Sequence, residues 1–142
     1  VQDQDMKETA MTEAIEKFFA SEAFGVVGAS EDRSKYGNKV LRCYVQNKKT
    51  AIPVNPKVAS VEGLNTVATV ADLPDTVKSI SVITPPAVTE QVVEAAIARG
   101  ITSVWMQPGA ESEAAVAACK AAGVNVIADH SCLLVVLGYS EH

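Results

Sequence analysis

The chain has 142 residues, 48% of them hydrophobic and 20% charged, which is the length and balance of one folded domain rather than of a disordered segment. Its formal net charge of −5 argues against general nucleic-acid binding, and aromatic content of only 5% leaves little to stack single-stranded bases on. The longest apolar runs fall well short of the roughly 20 residues that cross a bilayer, so no membrane partner is expected.

Residues 1–20 read as an N-terminal tail with a short helix, and 21–142 as one domain. Val1 to Lys7 is polar and expected to fray. Thr9 to Phe19 places Ile15, Phe18 and Phe19 at helical spacing, which predicts a short amphipathic helix. The stretch from Phe24 to Gly37 then reads as strand, loop and helix start: the apolar run Phe24-Gly25-Val26-Val27 stops at Gly28-Ala29-Ser30, and a helical pattern begins near Tyr36 or Gly37. Small residues let a ligand approach the backbone, and free N–H groups at a helix N-terminus suit phosphate. A β-branched residue at Gly28 would resist a positive φ and occupy the phosphate's approach.

Val40, Leu41, Tyr44 and Val45 recur at helical period, so Gly37 to Asn47 is predicted as the next helix. Thr50 to Val54 follows as the second strand, stopped by Asn55-Pro56; Pro53, lacking an amide, is expected at the strand's start or where a ladder bond is already missing. Val58 to Leu73 reads as a loop with a short strand near Val67 to Val70 and one turn ahead of Pro74, capped through Asp72 or Thr69. Ser79 to Ile83 is a buried strand ended by Thr84-Pro85-Pro86, and Thr89 to Arg99 a helix closed by Gly100. The unit then repeats: Thr102 to Met106 as strand, Gln107-Pro108-Gly109-Ala110 as loop, Ser112 to Ala122 as helix and Asn125 to Ala128 as strand. The apolar tail Leu133 to Leu137 is read as a further strand or a cap. As an unguarded edge strand it would favour a homodimer.

Alternating strands and helices of this kind give a doubly wound, Rossmann-like α/β domain, a parallel sheet with helices on both faces. Ligands bind outside the carboxyl ends of such strands. Here those ends carry Gly28-Ala29-Ser30, Asn55-Pro56, Thr84-Pro85-Pro86 and Gln107-Pro108-Gly109, which together would line one cleft. Between Glu31 and Lys57 stand Arg33, Lys35, Lys39, Arg42, Lys48, Lys49 and Lys57 against only Glu31 and Asp32, a local excess of +5 that leaves −10 for the remainder. Arg33, Lys35 and Lys39 are expected to face the cleft, so a small polyanion is the expected ligand. The dinucleotide fingerprint is absent: the glycines are spaced otherwise, and Asn55, Pro56 and Lys57 stand where an acidic residue would hold the ribose. NAD(P) is therefore disfavoured, although an NAD(P)-binding oxidoreductase-like protein and an interaction domain with a vestigial cleft remain the alternatives.

Cys43, Cys119 and Cys132 are odd in number and lack metal spacing, which points to an intracellular reducing compartment, cytoplasmic or mitochondrial matrix, and to no metal site. Since the chain opens on Val1 rather than Met, an upstream segment, a targeting peptide included, is left open. No nucleophile triad and no converging carboxylate pair is evident, so no catalytic residue is assigned.

The combination VVGAS, Ser34 before the helix, PVNPK, TPP, WMQPGA and a terminal Asp-x-x-Cys resembles the small stand-alone CoA-binding proteins, themselves similar to the N-terminal CoA-binding domain of the succinyl-CoA synthetase α subunit. The resemblance covers about Phe24 to Cys132. It implies a CoA or acyl-CoA binding module without catalytic activity of its own, sensing the ligand or presenting it to a partner. By the resemblance Gly28, Ala29 and Ser30 hold the phosphates; Arg33, Lys35 and Tyr36, on the loop and helix start next to them, are further candidates for binding the ligand. Asn55, Pro56 and Lys57 border the adenosine end, Thr84, Pro85 and Pro86 line the adenine and pantetheine side, and Gln107, Pro108 and Gly109 close the cleft. Where many stand-alone members carry Asp-Arg-Cys, this chain has Asp129-His130-Ser131-Cys132, and the ligase domain of the synthetase has no counterpart.

Overall fold

The computed structural model describes residues 2–141, with side chains from residue 11 onward. Helix α1 (Gln2–Phe19) is followed by β1 (Ala23–Val27), α2 (Tyr36–Gln46) and β2 (Thr50–Val54). A small hairpin, β3 (Ser60–Val61) and β4 (Leu64–Asn65), and a 3-10 turn at Val70–Asp72 precede β5 (Val77–Val82). Then come α3 (Pro86–Arg99), β6 (Ser103–Met106), α4 (Glu113–Ala121), β7 (Asn125–Ile127) and a π-helical turn at Leu134–Gly138. The five longer strands form one parallel sheet in the order β2-β1-β5-β6-β7, so the expected doubly wound α/β fold is present.

Alternation along β1 assigns the two faces. Phe24 and Val26 join Phe18 of α1, Val40, Leu41 and Tyr44 of α2, and Trp105 in one buried cluster. Ala23 and Val27 face the other way, with Ile80, Val82, Val93 and Ala96 of α3, and Ala115 and Cys119 of α4. The first cluster is aromatic: the Phe18 ring lies 5.3 Å from Trp105, and Phe24 stacks on Tyr44 at 4.9 Å. Three polar side chains on this side find partners. The Tyr44 hydroxyl meets Ser81 Oγ at 2.6 Å, Trp105 Nε1 donates to the Ser131 carbonyl at 2.9 Å, and Asn125 Nδ2 ties down Ala14 at 2.8 Å.

Several elements differ from the sequence-based expectation. Gln2 to Lys7, expected to fray, continue α1; Val1 lies outside the described residues. Helix α3 starts at Pro86, three residues early, because proline's fixed φ and missing N–H suit a first helical position. Val67 makes a single bridge to Val54 rather than a strand, and the next element is the 3-10 turn. That turn is capped as expected, with the Asp72 carboxylate accepting from the Thr69 N–H at 3.2 Å and its hydroxyl at 2.9 Å. Hairpin β3–β4 was not anticipated. Its turn, Glu62-Gly63, needs positive φ at both positions (51° and 78°), the geometry of a two-residue hairpin turn that Asn-Gly usually announces. Pro53 sits inside β2, which is an edge strand and can spare the amide. The tail 133–138 is not a strand: Leu133 is buried and the π-helical turn packs on α2. The unguarded-edge argument for a homodimer thereby loses its strand.

Candidate functional site

The sheet order reverses between β1 and β5, where the chain leaves β1 toward β2 on one side and resumes with β5 on the other. A crevice opens at that point in doubly wound sheets, because the helices following the two strands lie on opposite faces. It holds a cleft of about 750 Å³, lined by the end of β1 (Val27, Gly28, Ala29), Lys35, the end of β2 (Val54 to Lys57), residues 68–70, the end of β5 (Ile83, Thr84, Pro85), and Val88, Gln91, Val92 and Ala95 of α3.

Gly28 lines the crevice and Gly37 packs behind it. Gly28 has φ +95°, and a Cβ there would lie 2.5 Å from the Ile83 carbonyl oxygen; a Cβ on Gly37 would overlap the Gly28 carbonyl. The positive φ expected at Gly28 is present, but the space a side chain would take is filled by β5's own backbone. A substitution there attacks the fold as well as any ligand's approach. Gly37, at the start of α2, lets the helix end sit directly on the loop, where its Tyr36 and Gly37 N–H groups have no intrahelical partner. Lys35 at the N-cap makes no side-chain cap bond, and the first turn carries no acidic residue. The positive end of the helix dipole is thus uncompensated, which suits an anion.

Behind the loop a polar network holds its shape. Asn38, fully buried, donates through Nδ2 to the Ser30 carbonyl at 2.8 Å and to Glu62 at 3.0 Å. Arg42, 7% exposed, donates to Asn38 Oδ1 at 2.6 Å and to the Arg33 carbonyl at 2.8 Å. Within the loop, Ser30 Oγ accepts the Asp32 N–H at 3.1 Å. The Ser34 hydroxyl and then its N–H donate to Asp32 and hold its carboxyl below the usual carboxylate range. Asn55 joins the ends of β1 and β2, its Nδ2 donating to the Ala29 carbonyl at 2.9 Å while its Oδ1 accepts the Lys57 N–H at 2.7 Å.

Of the residues expected at the site, Gly28, Ala29, Lys35, Asn55, Pro56, Lys57, Thr84 and Pro85 line the cleft. Tyr36, Gln107 and Pro108 instead line a smaller neighbouring cavity with Ile83 and Cys132. Ser30, Pro86 and Gly109 line neither; the Gly109 N–H is taken by the Glu111 carboxylate at 2.8 Å. Nor does Arg33, whose guanidinium pairs with Glu62 at 3.6 Å, while Lys39 lies over the Tyr36 ring. Among the described residues, then, Lys35 and Lys57 alone bring positive charge to the cleft, and no carboxylate lines it. The α3 wall was not foreseen. Its signal was an apolar stripe, Val88, Val92 and Ala95, beside the core stripe of Val93 and Ala96, which makes α3 apolar over more of its circumference than packing on a sheet requires.

Among the described residues no group of three His, Cys, Asp or Glu side chains could hold a metal, and no helix is long and apolar enough to cross a membrane. His130 pairs with Glu111 at 3.4 Å.

The family model for the CoA binding domain matches residues 22–138. The chain belongs to this CoA-binding domain family. The resemblance carried by VVGAS, PVNPK, TPP and WMQPGA is thereby borne out. Among solved structures, a conserved hypothetical protein from Pyrococcus furiosus is 36% identical, with 81% of this chain and 98% of that one covered and a TM-score of 0.77. A hypothetical protein from Pyrococcus horikoshii OT3 is 27% identical over 87% of each chain, with a TM-score of 0.81. The dinucleotide forming acetyl-coenzyme A synthetase 1 of Ca. Korarchaeum cryptofilum, in complex with phosphate and ADP, is 27% identical with a TM-score of 0.69. That match covers 77% of this chain but only 26% of the synthetase.

Proposed function

We propose that this CoA-binding family member binds CoA in the crevice between β1 and β5 and acts as a binding module, sensing free or acylated CoA or presenting it to a partner, without catalytic chemistry of its own. The observation that carries the reading is a cleft at the sheet's reversal point with two lysines and no carboxylate in its lining. A ligand with several phosphates fits that charge, whereas an ordinary NAD site sets an acid at the end of the second strand. In this reading the diphosphate lies on the loop at Gly28 and Ala29, beside Lys35 at the start of α2. The adenosine and its 3′-phosphate lie toward Asn55, Pro56 and Lys57, and the pantetheine runs past Thr84 and Pro85 along the apolar side of α3. Residues 21–142 carry the ligand-binding residues, and α1 packs Phe18 into the core beside them. The three free thiols, Cys43, Cys119 and Cys132, accord with a reducing intracellular compartment.

A thermal-shift panel of CoA, acetyl-CoA, NAD(H), NADP(H) and adenine nucleotides tests this. A ligand of the native state at 100 times its dissociation constant adds about 2.7 kcal/mol, so CoA is expected to raise the melting temperature measurably. A panel in which nothing shifts the melt would leave the interaction-domain reading in its place, and a shift by NAD(P) alone would replace CoA as the ligand.

A further inference from the structure

A cavity of about 240 Å³ lies next to the nucleotide cleft and shares Ile83 with it, its other walls being Tyr36, Gln107, Pro108 and Cys132. Strand order puts it at a telling place. Along the crest of the sheet come Lys57 after β2, Gly28 after β1, Ile83 after β5 and Gln107 after β6. A ligand with its adenosine at β2 and its diphosphate on the β1 loop therefore has this cavity on the side of its opposite, sulfur-bearing end.

The chemistry of the walls says what would fill it. Gln107 is 3% exposed, and its carboxamide is oriented by the Leu133 N–H, which donates to Oε1 at 2.8 Å. That leaves the NH₂ group on the cavity side, where Nε2 donates to the Cys132 sulfur at 3.4 Å. Sulfur is a weak acceptor, and the second N–H has no partner among the described residues. A buried amide donor left so poorly satisfied calls for an oxygen acceptor. No charged side chain lines the cavity, so the acceptor belongs to an uncharged group. At about 30 Å³ per water, the volume equals roughly eight waters, room for a thioester and a short chain and too little for a long fatty acyl group.

We propose that this cavity is an acyl pocket for short, uncharged acyl thioesters of CoA, with the Gln107 carboxamide donating to the thioester carbonyl and determining specificity. The proposal rests on the CoA reading above and deepens it. The test is calorimetry of the full chain with free CoA, acetyl-, butyryl-, succinyl- and palmitoyl-CoA. Butyryl-CoA should bind at least fivefold more tightly than CoA, with succinyl- and palmitoyl-CoA no tighter than CoA. Gln107→Leu should abolish the butyryl preference, so that butyryl-CoA and CoA bind this variant equally. Because Gln107 also holds the Leu133 amide, Cys132→Met, which fills the pocket and spares that bond, serves as a second variant and should lose the preference too. CoA binding with no acyl preference in the wild type, or a preference that survives both variants, overturns the acyl pocket and leaves the CoA reading standing. Failure of every CoA species to bind overturns both.

Discussion

Removing the 3′-phosphate from the ligand tests the cleft's charge most directly, since dephospho-CoA keeps every other group of CoA. Lys35 and Lys57 are the cations lining the cleft among the described residues, and Lys57 follows the strand end assigned to the adenosine. A charge-assisted hydrogen bond contributes about 1.5 to 3 kcal/mol. Both lysines are exposed, so the lower end applies, and about 1.4 kcal/mol is a factor of ten. CoA should therefore bind roughly tenfold more tightly than dephospho-CoA or NAD in 0.1 M salt. Screening shortens from about 10 Å to about 3 Å between 0.1 and 1 M, and the ratio should fall to about two- or threefold. Lys57→Ala or Lys35→Ala should reduce the ratio at low salt by a similar factor. Arg33→Ala is the informative control: its guanidinium is paired with Glu62 and lines no part of the cleft, so the ratio should not change. Calorimetry of the ligands at two salt concentrations gives the answer. Equal affinities for CoA and dephospho-CoA would refute the phosphate argument, and tighter NAD binding would overturn the functional reading.

Gly28→Val should cost about 2 to 4 kcal/mol of stability in a urea titration, the range of severe backbone and packing conflicts, because the new side chain meets the Ile83 carbonyl from a backbone at φ +95°; CoA binding should be lost with it. A variant of wild-type stability would show that the loop moves freely and does not form the rigid wall described. Alkaline pH should act through the buried thiols. Burial pushes Cys43 and Cys119 up to about 11 from 9.0 and raises Tyr44 as well. The unfolded chain therefore releases these protons first, and the stability they contribute is fully present below pH 9 and is lost as pH rises toward 11. The melting temperature should be flat from pH 7 to 8.5 and fall above 9. A flat profile to pH 10.5 would contradict the burial assigned to these side chains.

The alternation of short apolar runs with three-turn helical patterns was enough to determine the fold class, because a strand covered on both faces and a helix covered on one differ in period and are read locally. The glycine at the end of β1, the absence of an acid after β2 and the family resemblance were legible for the same reason. Long-range geometry decided the rest. The reversal between β1 and β5 turns four separate strand ends into one cleft and a side chamber, and no local signal says that Gln107 and Tyr36 fall in the chamber while Asn55 and Thr84 fall in the cleft. The fate of Arg33 shows the limit plainly. In sequence it belongs to the basic loop; in the fold, a hairpin with no strong turn signature swings Glu62 across 29 positions to neutralise it. Charge composition is additive along the chain, but the field at a site depends on which counter-charges folding brings within a few ångströms, and that is a property of the tertiary structure.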